Sequence, residues 1–326
     1  MSLSKAYVDG FLVKWEAGEY AADVRMLAQR SRKLEVEVGG APVSQDRSTG
    51  ARAQAIRDRL ARTVKRSPEV MVKITSACRG MRQIGKHIDY ISRKGELELE
   101  DQDGLVLKGR EELRDLASDW RINSPEEIGT KSERRDTLNI VFSMPAFTDE
   151  VSMKRAVRAF AAHEFDGHSY VFAYHTQATD PDPNPPAHPH VHLSVKTQGH
   201  SGRRLNPRKA DLQRWREGFA SELRAHGIEA NATSRLARLN RGKGPSRGKI
   251  AVMERQRPAP QRPDAKPDAL KETRGRRLED DRRAYYQTLA KVLSRSESAG
   301  DRALADDLAY HLGRDGLARR RVELER

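Results

Sequence analysis

The sequence predicts an α+β fold with helical or flexible extensions at its N- and C-terminal ends. Three observations carry that prediction: five segments alternate or run apolar as strands do, amphipathic stripes fall between them, and the composition changes sharply near residue 241. With 37% hydrophobic and 33% charged residues in 326, the chain has material for one sizeable core rather than two. The boundaries that follow are a helical extension over 1–66, a core domain over 67–240, and a basic linker with a helical tail over 241–326.

Residues 1–66 hold short apolar pieces between polar ones and end in the basic "RDRLARTVKR", which suits one or two helices. "PEVMVKITSAC" (68–78) is the first strand, "GMRQIGKHIDYISRKG" (80–95) a helix, and the alternating "ELELEDQDG" (96–104) the second strand. A helix over "REELRDLASDW" (110–120) precedes the third strand, "DTLNIVFSMP", in which Leu138, Ile140, Phe142 and Met144 share a face. Pro145 closes that strand and "TDE" opens a helix over 149–165. "HSYVFAYHT" and "HPHVHLSVKT" are the fourth and fifth strands, separated by the proline-rich "DPDPNPPA". The segment 205–227 carries helix signals throughout: Asn206 as N-cap, Pro207 in the first turn, Gly227 as stop, and Leu212, Trp215, Phe219 and Leu223 on one stripe. Beyond 241, "NRGKGPSRGK" and "RQRPAPQRPDAKPDA" read as linker, with two amphipathic helices around "AYYQTLAKVL" and "RALADDLAYHL".

Lys and Arg number 61 against 47 Asp and Glu, a formal net charge of +14, of which residues 241–326 supply +8. Such a balance favours a polyanionic partner, and nucleic acid suits it better than a membrane because no anchor or lipidation signal accompanies it. The single cysteine, Cys78, excludes an intramolecular disulfide and fits a reducing compartment. With no secretion signal and no apolar run long enough to span a bilayer, the expectation is a cytoplasmic protein without membrane insertion.

Three of the ten histidines fall within "HPHVH". On a strand, His190, His192 and Ser194 share one face while Val191, Leu193 and Val195 share the other, so the apolar set enters a core and two imidazoles are presented together. Imidazoles at i and i+2 can reach one divalent cation, and His175, closing the preceding strand, would stand beside them if the two strands are antiparallel neighbours. The blander possibility is a pair of surface histidines on a half-exposed strand; His188, in the proline loop, fits that description.

On the helix over 80–95, Met81, Ile84, Ile88 and Ile91 form the apolar stripe, and Tyr90 lies away from it with Gln83 and Lys86, flanked by Arg93 and Lys94 if the helix persists that far. Tyrosines at helical spacing are more often boundary residues. Here the phenol is directed among cations, where it can meet a phosphate. A phenol of ordinary pKa near 10 needs such help to act as a nucleophile. Its attack on a phosphodiester would exchange one diester for another, so cutting would need no ATP and would be reversible.

The stretches "IDYISRKGELEL", "YVFAYH", "HPHVHLSV" and "HGIEANATSR", in that order, resemble the P-type relaxase or mobilisation nuclease family, which includes the border-nicking endonucleases of T-DNA transfer. The resemblance spans roughly residues 68–240. It implies a His-hydrophobe-His endonuclease fold built on a five-stranded antiparallel sheet with flanking helices. It also implies Mg2+ or Mn2+ held by His175, His190 and His192, and Tyr90 as the nucleophile that nicks one strand at an origin of transfer. Single-stranded DNA at that origin, relaxosome accessory proteins and a type IV coupling protein and secretion channel are the implied partners, with export alongside the transferred strand. Lys86, Arg93 and Lys94 are candidate phosphate contacts, and Ser234 and Arg235, after Thr233, match a family stretch near DNA. One departure concerns the general base. The family has an acidic residue two places after the first histidine, whereas this chain has Gln177 there and Asp180 and Asp182 further along a longer loop. Two other functions suit part of the pattern: a rolling-circle replication initiator, whose tyrosine typically follows the histidine pair, and a non-catalytic basic nucleic-acid-binding protein.

Overall fold

The structure is a computed structural model that describes residues 2–19, 47–179, 188–233 and 283–324. They fall into two units, one formed by 67–232 and the other by 1–66 together with 233–326.

The first unit is an antiparallel sheet with helices on both faces. Its strands are β1 (Met71–Cys78), β2 (Leu99–Asp101), β3 (Val106–Leu107), β4 (Thr137–Ser143), β5 (Tyr170–His175) and β6 (His190–Lys196), in the order β1-β4-β6-β5-β2-β3. Six strands replace the expected five, because the run 96–104 does not stay extended. Asp101 Oδ1 accepts from the N–H groups of Asp103 and Leu105, at 2.9 and 2.8 Å, and turns the chain into a hairpin. Gly104 takes the left-handed φ of 80° that such a tight turn needs.

The central strands β4 and β6 are buried on both faces, as their near-continuous apolar runs require. On one face Leu138, Ile140, Phe142, Val191, Leu193 and Val195 pack against α5 (Glu150–Glu164) and α6 (Lys209–Ala225) through Val157, Phe160, Trp215 and Phe219. Asp149 caps α5 by accepting from the Ser152 N–H at 2.8 Å. The cap of α6 is Arg208 rather than Asn206: Asp211 accepts the Arg208 N–H at 2.7 Å, while the Asn206 side-chain oxygen Oδ1 accepts from Arg135 at 3.0 Å. Trp215, Phe219 and Leu223 are buried, and Leu212 is partly buried beside them.

On the opposite face α3 (Met81–Ile91) and α4 (Arg110–Ile122) cover part of the sheet, and Ile84, Ile88, Ile91 and Trp120 meet Cys78, Leu99, Val171 and Ala173. Both ends of α3 are pinned. Gly80 donates its N–H to the buried Asp136 carboxylate at 2.7 Å with φ 77°, and a Cβ there would lie 2.5 Å from the Thr130 carbonyl oxygen. At the other end Gly95 crosses Gly109 so closely that a Cβ would stand 2.8 Å from its carbonyl carbon. Neither glycine can carry a side chain without moving the helix between them.

The second unit is helical. α1 (Lys5–Glu19), α2 (Arg47–Val64), a helix over 283–293 (α7) and α8 (Ala299–Leu324) contribute Leu12, Trp15, Ile56, Leu60, Leu289 and Leu308 to one core. Trp15 stacks on Tyr285 with ring centroids 5.4 Å apart and meets Tyr286 edge-on at 5.2 Å. The buried Asp301 accepts from Arg57 at 2.6 and 3.1 Å and from Ser296 at 2.7 Å, and Arg57 also pairs with Asp9 at 2.6 Å. The segments 1–66 and 241–326, expected as separate extensions, thus supply helices to one unit. Most of the expected linker lies outside the described residues. Among the described residues no helix is long and apolar enough to cross a membrane.

Candidate metal centre

Strand alternation puts His190 and His192 on the face of β6 turned away from the α5/α6 core. Antiparallel pairing sets His175 of β5 opposite His190, and the small Ala173 opposite His192, which leaves room for the imidazole. The ring centroids of the three histidines lie 5.4, 4.7 and 5.0 Å apart. One ligand nitrogen from each falls within 4.8 Å of the others.

The surroundings orient these rings as a cation would need. His175 is wholly buried, and its Nε2 lies 2.7 Å from the Ile91 carbonyl oxygen, a contact in which the ring N–H donates and Nδ1 keeps its lone pair. His190 Nδ1 lies 3.2 Å from the His188 carbonyl oxygen, a contact in which the ring N–H donates and the lone pair is on Nε2. Burial, with His175, His190 and His87 nearby, pushes the His192 pKa down to about 2, so its ring is neutral at ordinary pH. Three imidazoles so placed fit a divalent cation, and three protein ligands leave coordination positions open for another oxygen. Beyond the cluster the same face is held by Asn139, which accepts from Ser194 at 3.1 Å and donates to Ser76 at 2.8 Å.

Tyr90 stands over this cluster. The buried isoleucines of α3 turn it outward, its side is 42% exposed, and its ring centroid is 5.8 Å from that of His192, edge-on at 89°. Its neighbour Ile91 supplies the carbonyl that orients His175, so one helical turn holds both the phenol and a candidate ligand.

The other candidates divide. Lys86 is exposed on α3, one turn before Tyr90. The helix does not persist to Arg93 and Lys94: it ends at Ile91, and these two take left-handed φ values of 49° and 57°, with Arg93 3.7 Å from Glu96. Thr233 is buried, Gln177 lies exposed in the turn after β5, and Ser234, Arg235, Asp180 and Asp182 lie outside the described residues.

Two residues near the cluster escaped the sequence reading. His87 precedes Tyr90 by three residues, and the two rings stack at 6.3 Å. Burial pushes the His87 pKa down to about 4, and its Nε2 has no hydrogen-bond partner. The i, i+3 spacing could have revealed it. Lys73, exposed on β1, pairs with Val141, which pairs with His192, so all three share one face. Only the strand register reveals that one.

A histidine cluster on a central antiparallel strand, with a tyrosine above it, is a candidate metal centre, and comparison shows what the chain resembles. Residues 90–228 match the model described as "Relaxase: MobA/VirD2-like, nuclease domain", a span that opens on Tyr90 and takes in all three histidines. Over these residues the chain is similar to the nuclease domain of relaxases. It is similar to "T-DNA border endonuclease VirD2" of Rhizobium radiobacter, 29% identical over 189 residues, covering 52% of this chain and 43% of that protein. The proteins of the same name from Rhizobium rhizogenes and Agrobacterium fabrum (strain C58 / ATCC 33970) are each 28% identical over 189 residues, covering 52% of this chain and 42% and 40% of theirs. The chain therefore spans less than half the length of the curated relatives it matches.

Proposed function

We propose that the protein is a conjugative relaxase that nicks one DNA strand at an origin of transfer by tyrosine transesterification. The observation that carries this reading is the 5.8 Å separation of the Tyr90 and His192 rings, close enough for one phosphate to touch both the phenol and a cation on the histidines. The family match and the likeness to border endonucleases support it.

The phenolic oxygen of Tyr90 attacks phosphorus, forming a new P–O bond as the bond to the 3′ oxygen breaks. The proton lost by the phenol is balanced by the one gained at the released 3′ hydroxyl. The 5′ end stays on the protein as a phosphotyrosyl ester, and attack by a 3′ hydroxyl reverses the step, which permits strand transfer and rejoining. His175, His190 and His192 would hold the divalent cation, which when bound polarises a non-bridging phosphate oxygen as a Lewis acid. Mg2+ and Mn2+ are the candidates, and an all-imidazole set favours Mn2+, because Mg2+ prefers oxygen donors. Lys86 faces the approaching backbone, and Arg93, Lys94, Ser234 and Arg235 are further candidates for phosphate contact. Relaxosome accessory proteins and a type IV coupling protein and channel complete this reading, with work beginning in the bacterial cytoplasm.

The test is a supercoiled plasmid bearing the cognate origin, incubated with protein and Mn2+ or Mg2+. Nicked circles with a protease-sensitive adduct on the 5′ end are expected. Tyr90→Phe should lose the adduct and keep DNA binding; a fully active variant would exclude Tyr90 as nucleophile.

A further inference from the structure

We infer that the chain has a second subsite for the same DNA strand, a nucleobase cleft at the β1/β4 edge of the centre, and this inference rests on the strand-nicking function proposed above. Antiparallel register places Ser143 opposite His190 and Met71 opposite Ser143, so these three form a row on the face that bears the histidines. Neighbouring strands lie about 4.8 Å apart, so the row reaches roughly 10 Å sideways from the centre. At its far end is an open cleft of about 300 Å3, lined by Glu69, Met71, Ser143, Met144, Pro145 and His188, among others. The ring of His188, one of the lining residues, lies 6.4 Å from that of His190.

Three features select an unpaired base as the occupant. The lining is largely thioether and proline carbon, which suits a flat ring. Glu69 of the lining would repel a phosphate and carries a carboxylate that suits an exocyclic amine. The third is Phe147, next in the chain after Ala146 of the lining, which is fully exposed at 105% and holds a φ of 68°. A bulky residue at positive φ is strained, and a phenyl ring in water offsets none of that cost. A turn closed by the Thr148 hydroxyl, donating to the Pro145 carbonyl at 2.8 Å, keeps the ring there. Exposed aromatics of this kind stack on single-stranded bases. Lys73, two strands from His192 on the same face, supplies the cation for the phosphate joined to that base.

The subsite is tested by fluorescence anisotropy of the full chain with labelled 20-nucleotide single strands and with duplexes of the same sequence, at several salt concentrations and without metal. Phe147→Ala should weaken single-strand binding by about tenfold at unchanged salt slope and leave duplex binding as it was. Lys73→Ala should also weaken it, reducing the salt slope by about 0.7, one phosphate's worth. Phe147→Gly, which relieves the positive φ, should bind as poorly as Phe147→Ala while unfolding at no lower temperature. Unchanged single-strand affinity in both Phe147 variants overturns the subsite and leaves nicking by Tyr90 standing. Equal loss on duplex overturns it too, since paired bases cannot enter the cleft. If the wild-type chain binds no single strand at all, the subsite and the nicking function fall together.

Discussion

The sheet unit and the helical unit bury their polar groups in opposite ways. In the sheet unit, three imidazoles are packed together with no carboxylate in the cluster, an arrangement that keeps His192 neutral and its lone pair available. In the helical unit, Arg57 is clamped between Asp9 and Asp301, and the charges satisfy one another. A buried set of imidazole donors is suited to an added cation, whereas a buried ion pair is complete in itself and fixes how helices meet. The contrast separates a candidate site from architecture, and it can be broken experimentally.

The largest expected effect is on chemistry. Tyr90→Phe should reduce plasmid nicking to background without changing the folding of either unit, and Arg57→Ala should leave cleavage of a short single-stranded origin oligonucleotide intact. Strong cleavage loss in Arg57→Ala would erase the distinction between the units. Next is the response to metal. Adding Mn2+ to chelator-treated protein at about 100 times its Kd should stabilise the sheet unit by about 2.7 kcal/mol, read as slowed hydrogen exchange in β4, β5 and β6 but not in α1 or α2. The double variant His190→Ala, His192→Ala should lose bound metal and that protection together. In the other unit, Arg57→Ala leaves Asp9 and Asp301 without their shared partner and should cost about 3 kcal/mol, visible as faster exchange in α1, α2 and α8 alone.

The two units also differed in how far the sequence disclosed them. The centre was legible because a strand has a period of two: His190 and His192 had to share a face, and His175 needed only an antiparallel neighbour to join them. The outward turn of Tyr90 followed from the isoleucine stripe. Features set by side chain to backbone contacts stayed hidden, such as the Asp101 turn that makes β3 and the competition for Asn206 that passes the α6 cap to Arg208. The helical unit was legible as helices and not as a unit. Trp15 and Tyr285 are separated by 270 residues, and neither the short apolar pieces of 1–66 nor the two helices after 282 make a core alone. Composition marked the C-terminal part as a charged tail because exposed charges outnumber the few residues that pack.

Acid gives the sharpest separation of the units. In chelator, His87 titrates near 4 when folded and near 6.5 when unfolded, because burial disfavours its charged form. The unfolded chain therefore binds the proton first as pH falls, and stability that is fully present above 6.5 is lost progressively down to 4, by up to about 3 kcal/mol. His192, lower still, acts with the same sign. Asp301 behaves differently. Burial alone would raise its pKa, but hydrogen bonds from Arg57 and Ser296 outweigh that and hold it below the ordinary carboxylate range. Its contribution is present above the unfolded carboxylate pKa and is lost only as pH falls through the lower folded value. Between pH 6.5 and 4 the sheet unit should thus weaken while the Asp301 contribution to the helical unit holds, and His87→Gln should flatten part of the sheet unit's slope. Hydrogen exchange of β5 and α2, followed across that range, tests it: an equal decline in both, or an unchanged slope in His87→Gln, would mean that the buried imidazoles do not set the acid response of the centre.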